Sequence, residues 1–343
     1  MKRLFTTILA LSLSLMLLIF SGCLGAIPLT FNNAFNGAQE PDSSYRETLT
    51  YAVSYGNYED LTRSALIDQE QLKYSATGEY KTTFETVTKN DLPEQALLTD
   101  INLTAGTGNI YHLTTSLNLN VTYTVNGEGS GDYLDTIYSE VYFLPSGMSF
   151  APIFSKVNQV SSYLTAENGG AGLTYNVKKI ESETTILYNQ SSYKITYKLD
   201  DSATDSNHDY SFKTVIDNAE LLFAMRNLAL EKDANTSIPT VSASYGQAKG
   251  LLITNGAEFE TTLNINVNGA PVNEKVSVKK LDYHVNESNN TGVPQYVTVQ
   301  KSASGNIPSK ALMTEYAHAT MCYGTNTITG ALIYKLTSVE FSK

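Results

Sequence analysis

The sequence predicts a mainly β protein, built as one large antiparallel sheet with a lone main helix. Three observations carry that reading. Tyr (23) outnumbers Phe (12), Trp is absent, and Thr, Ser and Asn are abundant; Tyr and Thr favour pleated, half-wet surfaces. Apolar residues recur with a period of two, most clearly at Leu113, Thr115, Leu117, Leu119, Val121, Tyr123 and Val125, separated by Thr, Ser, Asn, Asn, Thr and Thr. That pattern belongs to an antiparallel sheet covered on one side. Asn-Gly pairs at 126–127 and 268–269 stand between such runs, where hairpin turns need residues tolerant of positive φ.

The chain opens on something else. Met1-Lys2-Arg3 precedes a greasy run from Ile8 to Phe20, broken only by Ser12 and Ser14, and then Ser21-Gly22-Cys23. Two positive charges, a short apolar segment and small residues make an export signal, not a structural helix. Its end resembles a bacterial lipobox, with Phe20 where the usual residue is Leu. The resemblance implies cleavage after residue 22 and a diacylglyceryl group on the Cys23 sulfur. Two acyl chains anchor stably, each buried methylene contributing about 0.8 kcal/mol. The expected location is the extracytoplasmic face of the cell membrane, lipid-anchored. Residues 23–44, rich in Asn, Gly, Ser and Pro and without a period, read as the lipidated cysteine and a flexible tether.

From Tyr45 the period becomes two. Leu49, Tyr51, Val53 and Tyr55 alternate with Thr50, Ala52 and Ser54, and Leu72, Tyr74, Ala76, Tyr80 and Phe84 keep one register. After the run at 113–125, residues 133–144 are apolar on both faces (Leu134, Ile137, Tyr138, Val141, Phe143), which predicts a central strand covered twice. Further strands are expected at 173–188, 191–199, 210–216, 257–267, 272–285, 295–300, 311–323 and 330–341, with a turn at Asn189-Gln190-Ser191-Ser192. Segments 58–70 and 151–166 each suit a short helix. The main helix is expected at 217–230, with Asp217 or Asn218 as its cap and Leu221, Leu222, Met225 and Leu228 at helical spacing. No linker or repeat divides 45–343. A single domain is the reading, with a split near 233–245 as the alternative.

Charge and chemistry narrow the function. The full chain carries −11; without Lys2 and Arg3 it has 21 basic against 34 acidic residues, a charge of −13. Such a chain is a poor partner for nucleic acid. No second apolar run approaches the roughly 18 residues that span a bilayer. With Cys23 acylated, Cys322 stands alone in an expected strand and reads as a small buried hydrophobe. His112, His208, His284 and His318 lack companions at metal-ligand spacing, so no metal or cofactor is expected. The acidic run 200–209 lacks the central Gly and closing Glu of a calcium loop and reads as a solvated hairpin loop. Glu181 and Glu183, at i and i+2, suit a wet sheet face rather than a glycosidase pair. Glycines at 105–108 and 127–131 join strands, not helix starts, and no Gly-x-Ser-x-Gly elbow occurs. No catalytic residue emerges.

Three segments in order resemble a group of bacterial envelope proteins related in fold to the LolA and LppX half-barrels. They are Leu49 to Gly56, the stretch Tyr133 to Tyr138 followed by Leu144-Pro145-Ser146-Gly147, and Ala219 to Leu230 with Leu222-Phe223-Ala224-Met225-Arg226. The resemblance covers roughly 45–270. It implies a large curved antiparallel sheet, an open or half barrel, wrapped around one main helix and leaving an apolar concavity. In the better understood relatives that concavity is implicated in carrying lipid or lipidated protein. The expected function is therefore non-enzymatic binding of a lipid or other amphiphile, with Leu117, Leu119, Val121, Tyr123, Leu222 and Met225 as candidate lining. The alternative is a structural or adhesive surface module that meets a cell-surface protein through its Tyr- and Thr-rich face.

Overall fold

Alternating inward and outward side chains build a sheet of fifteen strands in the computed structural model. It describes residues 46–56, 72–103, 110–125, 128–146, 149–169, 172–200, 202–210, 215–226, 236–242, 248–285, 295–300, 312–320 and 329–342. Cys23, Cys322 and the segment 58–70 lie outside the described residues. The first eight strands are β1 (Arg46–Gly56), β2 (Leu72–Val87), β3 (Ile110–Val125), β4 (Glu128–Ser146), β5 (Ser149–Gly169), β6 (Gly172–Tyr188), β7 (Ser192–Leu199) and β8 (Ser202–Asp209). The other seven are β9 (Ile216–Asp217), β10 (Thr236–Val241), β11 (Lys249–Val267), β12 (Ala270–Val285), β13 (Gln295–Gln300), β14 (Leu312–Thr320) and β15 (Thr329–Ser342).

The spatial order is β8 through β1, then β15 back to β9. Each neighbour in the first run is antiparallel to the next, as hairpin connections require. The two ends of the described chain meet in the middle of the sheet, where Arg46 faces Ser342 and Gly56 faces Ala331. A second, parallel contact of β15 with β11, Asn266 opposite Ser338 and Val267 opposite Val339, closes β11 to β15 into a ring of five strands. At the other side β9 packs on β5, and the turn that follows it packs on β4. The sheet therefore bends back on itself.

The expected period-two strands are present. On β3 the odd-numbered residues Leu113, Leu117, Leu119, Val121 and Tyr123 are buried, while Asn118 and Asn120 are exposed. They join Leu49, Tyr51, Val53, Phe84 and the inner residues of β11, β12 and β15 in one core. Aromatic edges hold it together: Tyr74 and Tyr123 meet at 5.4 Å, and Phe84 and Tyr111 at 5.1 Å. Such pairs are worth about 0.5–1.5 kcal/mol beyond their burial. On the outer face, the segment 88–103 lays Leu92, Ala96 and Leu103 over Ile110, Tyr142 and Phe154. The turn at Asn189 forms as expected, its N–H donating to the Ser192 carbonyl at 2.8 Å. Asn268 and Gly269 take φ of 48° and 80° between paired Val267 and Ala270, the conformation an Asn-Gly hairpin supplies.

Five expectations are corrected. In place of a main helix at 217–230 there is a 3-10 turn, Asn218–Glu220, running into α1, the six-residue helix Leu221–Arg226. Residues 227–235 lie outside the described residues. The sheet is not wrapped around this element; α1 inserts Phe223 into the core, stacked on Phe84 at 4.8 Å. Its described residues Leu221, Phe223 and Ala224 are held by packing into the core. Segment 151–166 is strand, inside β5, because register pairing to β4 and β6 on both sides overrides its local preference. The acidic run 200–209 is largely β8, an edge strand whose polar residues suit an unpaired side. Residues 133–144 are not covered twice: on β4, Leu134 is 55% and Tyr138 42% exposed, while Val141 and Phe143 are fully buried. The strand expected at 210–216 reduces, among the described residues, to β9.

Candidate functional site

The inner face changes chemistry halfway along β3 to β6. Toward one end it is filled by Leu119, Val121 and Tyr123; across the middle it carries Thr115, Ser139, Ser155, Ser182 and Thr184. Register aligns Thr115, Ser139 and Thr184 across the strands, with Val157 between the last two. Thr115 faces Ser139, Ser139 faces Val157, Val157 faces Thr184, and Thr184 faces Tyr197. Short side chains cannot fill the space that a Leu or Phe row would occupy. A cavity of about 680 Å³ results, within the range of small-molecule sites.

Its walls are mixed. Leu117, Ile137, Val157, Ile186 and Leu221 supply apolar surface; Tyr80, Tyr283 and Tyr334 close the opposite side from β2, β12 and β15. Tyr80 and Tyr334 meet edge-on at 5.2 Å. The roof is the turn after β9, with Asp217, Asn218, Ala219 and Leu221. Three hydroxyls are spoken for: Thr115 Oγ1 and Ser139 Oγ lie 2.6 Å apart, and Ser155 donates to Asp217 Oδ2 at 2.5 Å. Among the described residues no side chain takes the hydroxyl of Ser182 or Thr184.

Two acids are buried at the roof, and the helix start explains why. Asp217 caps the 3-10 turn, its Oδ1 accepting from the Ala219 N–H at 2.7 Å, while Glu220 Oε1 accepts from the Asp217 N–H at 2.8 Å. This capping box satisfies donors that would otherwise be orphaned. Tyr188 also donates to Asp217 Oδ2, at 2.5 Å. Burial pushes the Asp217 carboxyl up, and the bonds from Ser155, Tyr188 and Ala219 pull against that rise. Glu220 is pushed well above its ordinary range, first by burial and then by the neighbouring Asp217 charge, against the one hydrogen bond it accepts. Its Oε2 has no hydrogen-bond partner among the described residues. Burial, and then the Asp217 charge, likewise raise the Tyr188 phenol.

The six candidate lining residues fall in different places. Leu117 lies on the cavity wall. Leu119, Val121 and Tyr123 are packed core, and Tyr123 donates to the Ser162 carbonyl at 3.0 Å. The side chains of Leu222 and Met225 lie outside the described residues. Sequence reading missed the hydroxyl row and the roof acids. The available signal was a Ser or Thr at inward positions of otherwise apolar runs, as at Thr115 between Leu113 and Leu117.

Other chemistry lies on the outer face. His112 stacks on Tyr142 at 4.2 Å, with Nδ1 3.2 Å from Glu85 and Nε2 3.8 Å from Glu140. His208 stacks on Tyr193, its Nε2 3.0 Å from Ser206 Oγ. Among the described residues no three His, Cys, Asp or Glu come together as metal ligands. Glu183 sits between Lys156 at 2.7 Å and Lys198 at 2.9 Å, and the hydrogen bonds from both lower its carboxyl. The Glu181/Glu183 face is thus a surface ion-pair network, worth little individually.

No family model and no curated relative matches the chain. Among solved structures, the chain is similar to a beta-barrel-like protein of domain of unknown function DUF1849 from Brucella abortus. The TM-score is 0.42 at 10% identity, over 88% of this chain and 99% of that one.

Proposed function

We propose that this chain is a membrane-anchored extracytoplasmic lipoprotein, acylated at Cys23, which binds an amphiphilic ligand in the sheet's cavity without turning it over. The observation that carries the reading is the 680 Å³ space bounded by both apolar and hydroxyl side chains. Apolar walls gain roughly 25 cal/mol for each Å² of ligand surface they take from water. Hydroxyls placed among them orient a polar head. The acyl chains on Cys23 would hold the cavity near a membrane, the source and destination of such ligands. Leu117 and Ile137 would meet the ligand's chain.

The test is extraction of the full mature chain, purified from its own membrane, followed by mass spectrometry of the extract. A stoichiometric co-purifying amphiphile is expected, and it should be lost from Ile137→Trp, which fills the space from a partly buried wall position. An extract with no such species, or one equally present with Ile137→Trp, argues against the reading. The adhesive alternative draws on a different observation, the exposure of Leu134 and Tyr138 on the outer face of β4. It expects a clean extract and loss of surface binding on Leu134→Ser with Tyr138→Ser.

A further inference from the structure

We infer that the cavity selects amphiphiles whose head group is uncharged and hydroxyl-bearing, and turns away carboxylate and phosphate heads. This rests on the ligand-binding reading and adds the class of ligand. The described polar lining consists of Ser and Thr hydroxyls, tyrosines, the amides of Gln159 and Asn218, and one acid, Asp217; no Lys, Arg or His is among it. An anionic head brought here loses its water and meets no opposite charge, a cost that only pairing would offset. It would also face Asp217, whose Oδ atoms accept from Ser155, Tyr188 and Ala219. Those oxygens are acceptors whose donors are already engaged, so an anionic oxygen placed beside them finds no free proton to accept.

A hydroxylated head is matched instead. Ser182 and Thr184 present hydroxyls that no described side chain takes, and each is both donor and acceptor. A polar cavity of this size holds water when empty. Ligand hydroxyls reproduce the hydrogen bonds of the water they displace, whereas a bare alkyl chain leaves wall hydroxyls unpaired. Tyr80, Tyr283 and Tyr334 offer ring surface to the carbon face of the same head.

The experiment offers the full mature chain an equimolar mixture of 1-decanoylglycerol, decanoate and decyl phosphate, removes free probe rapidly, and weighs what stays bound. The three share one chain length, so only the head differs. At least tenfold more decanoylglycerol than either anion is expected. Equal or greater retention of the anions overturns the inference while leaving ligand binding intact. Retention of all three no higher than with Ile137→Trp overturns the binding reading itself. Asp217→Asn is expected to raise anion retention severalfold. Because that change also touches the helix cap, Thr184→Val serves as the second variant; it keeps shape and should lower decanoylglycerol severalfold while leaving the anions unchanged. If Thr184→Val, with an unaltered circular dichroism spectrum, retains all three probes as before, the head-group assignment is wrong.

Discussion

Glu220 places a carboxyl where water does not reach and one donor answers it. Burial, and then Asp217, raise it well above its ordinary value of 4.5. The folded chain therefore keeps a proton that the unfolded chain releases. Stability is undiminished below about pH 4.5 and falls as pH rises toward the raised value, by up to about 1.4 kcal/mol per pH unit for one such group. Glu220→Gln removes the titration and keeps the acceptor for the Asp217 N–H. Its melting temperature should exceed that of the parent by a margin that widens from pH 4.5 upward and closes near pH 4. A margin constant across that range would contradict the burial argument. Tyr188→Phe acts on the neighbouring acid. It strips one of three donors from buried Asp217 and should cost about 1–3 kcal/mol in urea unfolding, with an unchanged midpoint counting against the bond. At this scale the cap was legible, since Asp217 and Glu220 are spaced as a capping box. That both acids would be sealed from solvent was not, because burial depends on distant strands, β5 packing on β9 and β4 on the turn after it.

The strands differ in how openly they declare themselves. β3 alternates without fault and was legible from 113 to 125. β5 was not, because the ladder shifts between Tyr142 and Phe143 on its partner, and Ile153 and Phe154 are both buried in succession. A bulge breaks the period that a sequence reader counts. β8 hides for another reason: as an edge strand with polar residues it has no apolar face to reveal it. Close contact between β2 and β3 rests on one glycine. A Cβ on Gly78 would stand 2.0 Å from the Asn118 carbonyl oxygen and 3.0 Å from Leu119 Cα, both backbone atoms that cannot swing away. Gly78→Ala should therefore cost about 1–3 kcal/mol, as overpacking does. Gly269→Ala, at φ 80° with open space around it, should cost about 1 kcal/mol through backbone conformation alone. Chemical unfolding of both separates the two mechanisms, and a Gly78→Ala protein as stable as its parent would refute the close approach.

At the scale of the whole molecule, the ends of the described chain pair with each other in the sheet, and the proposed anchor at Cys23 can be tested directly. Metabolic labelling with a radioactive fatty acid should mark the mature chain and leave Cys23→Ser unmarked, with the latter released from membranes by salt and alkali. Label that persists in Cys23→Ser would remove Cys23 as the acylated position. Within the body, the residues alone determined that the chain is mainly β, where most strands run, where the Asn268-Gly269 and Asn189-Gln190 turns fall, and that apolar side chains alternate toward one face. These follow from local rules of period and turn chemistry. The tertiary structure alone decided that β15 lies beside β1, that the expected helix starts only at Leu221 after a 3-10 turn, and that hydroxyls on four strands face a common space beneath Asp217. No local rule contains those facts, because each depends on which distant strands become neighbours, and that choice is made by the packing of the whole inner face.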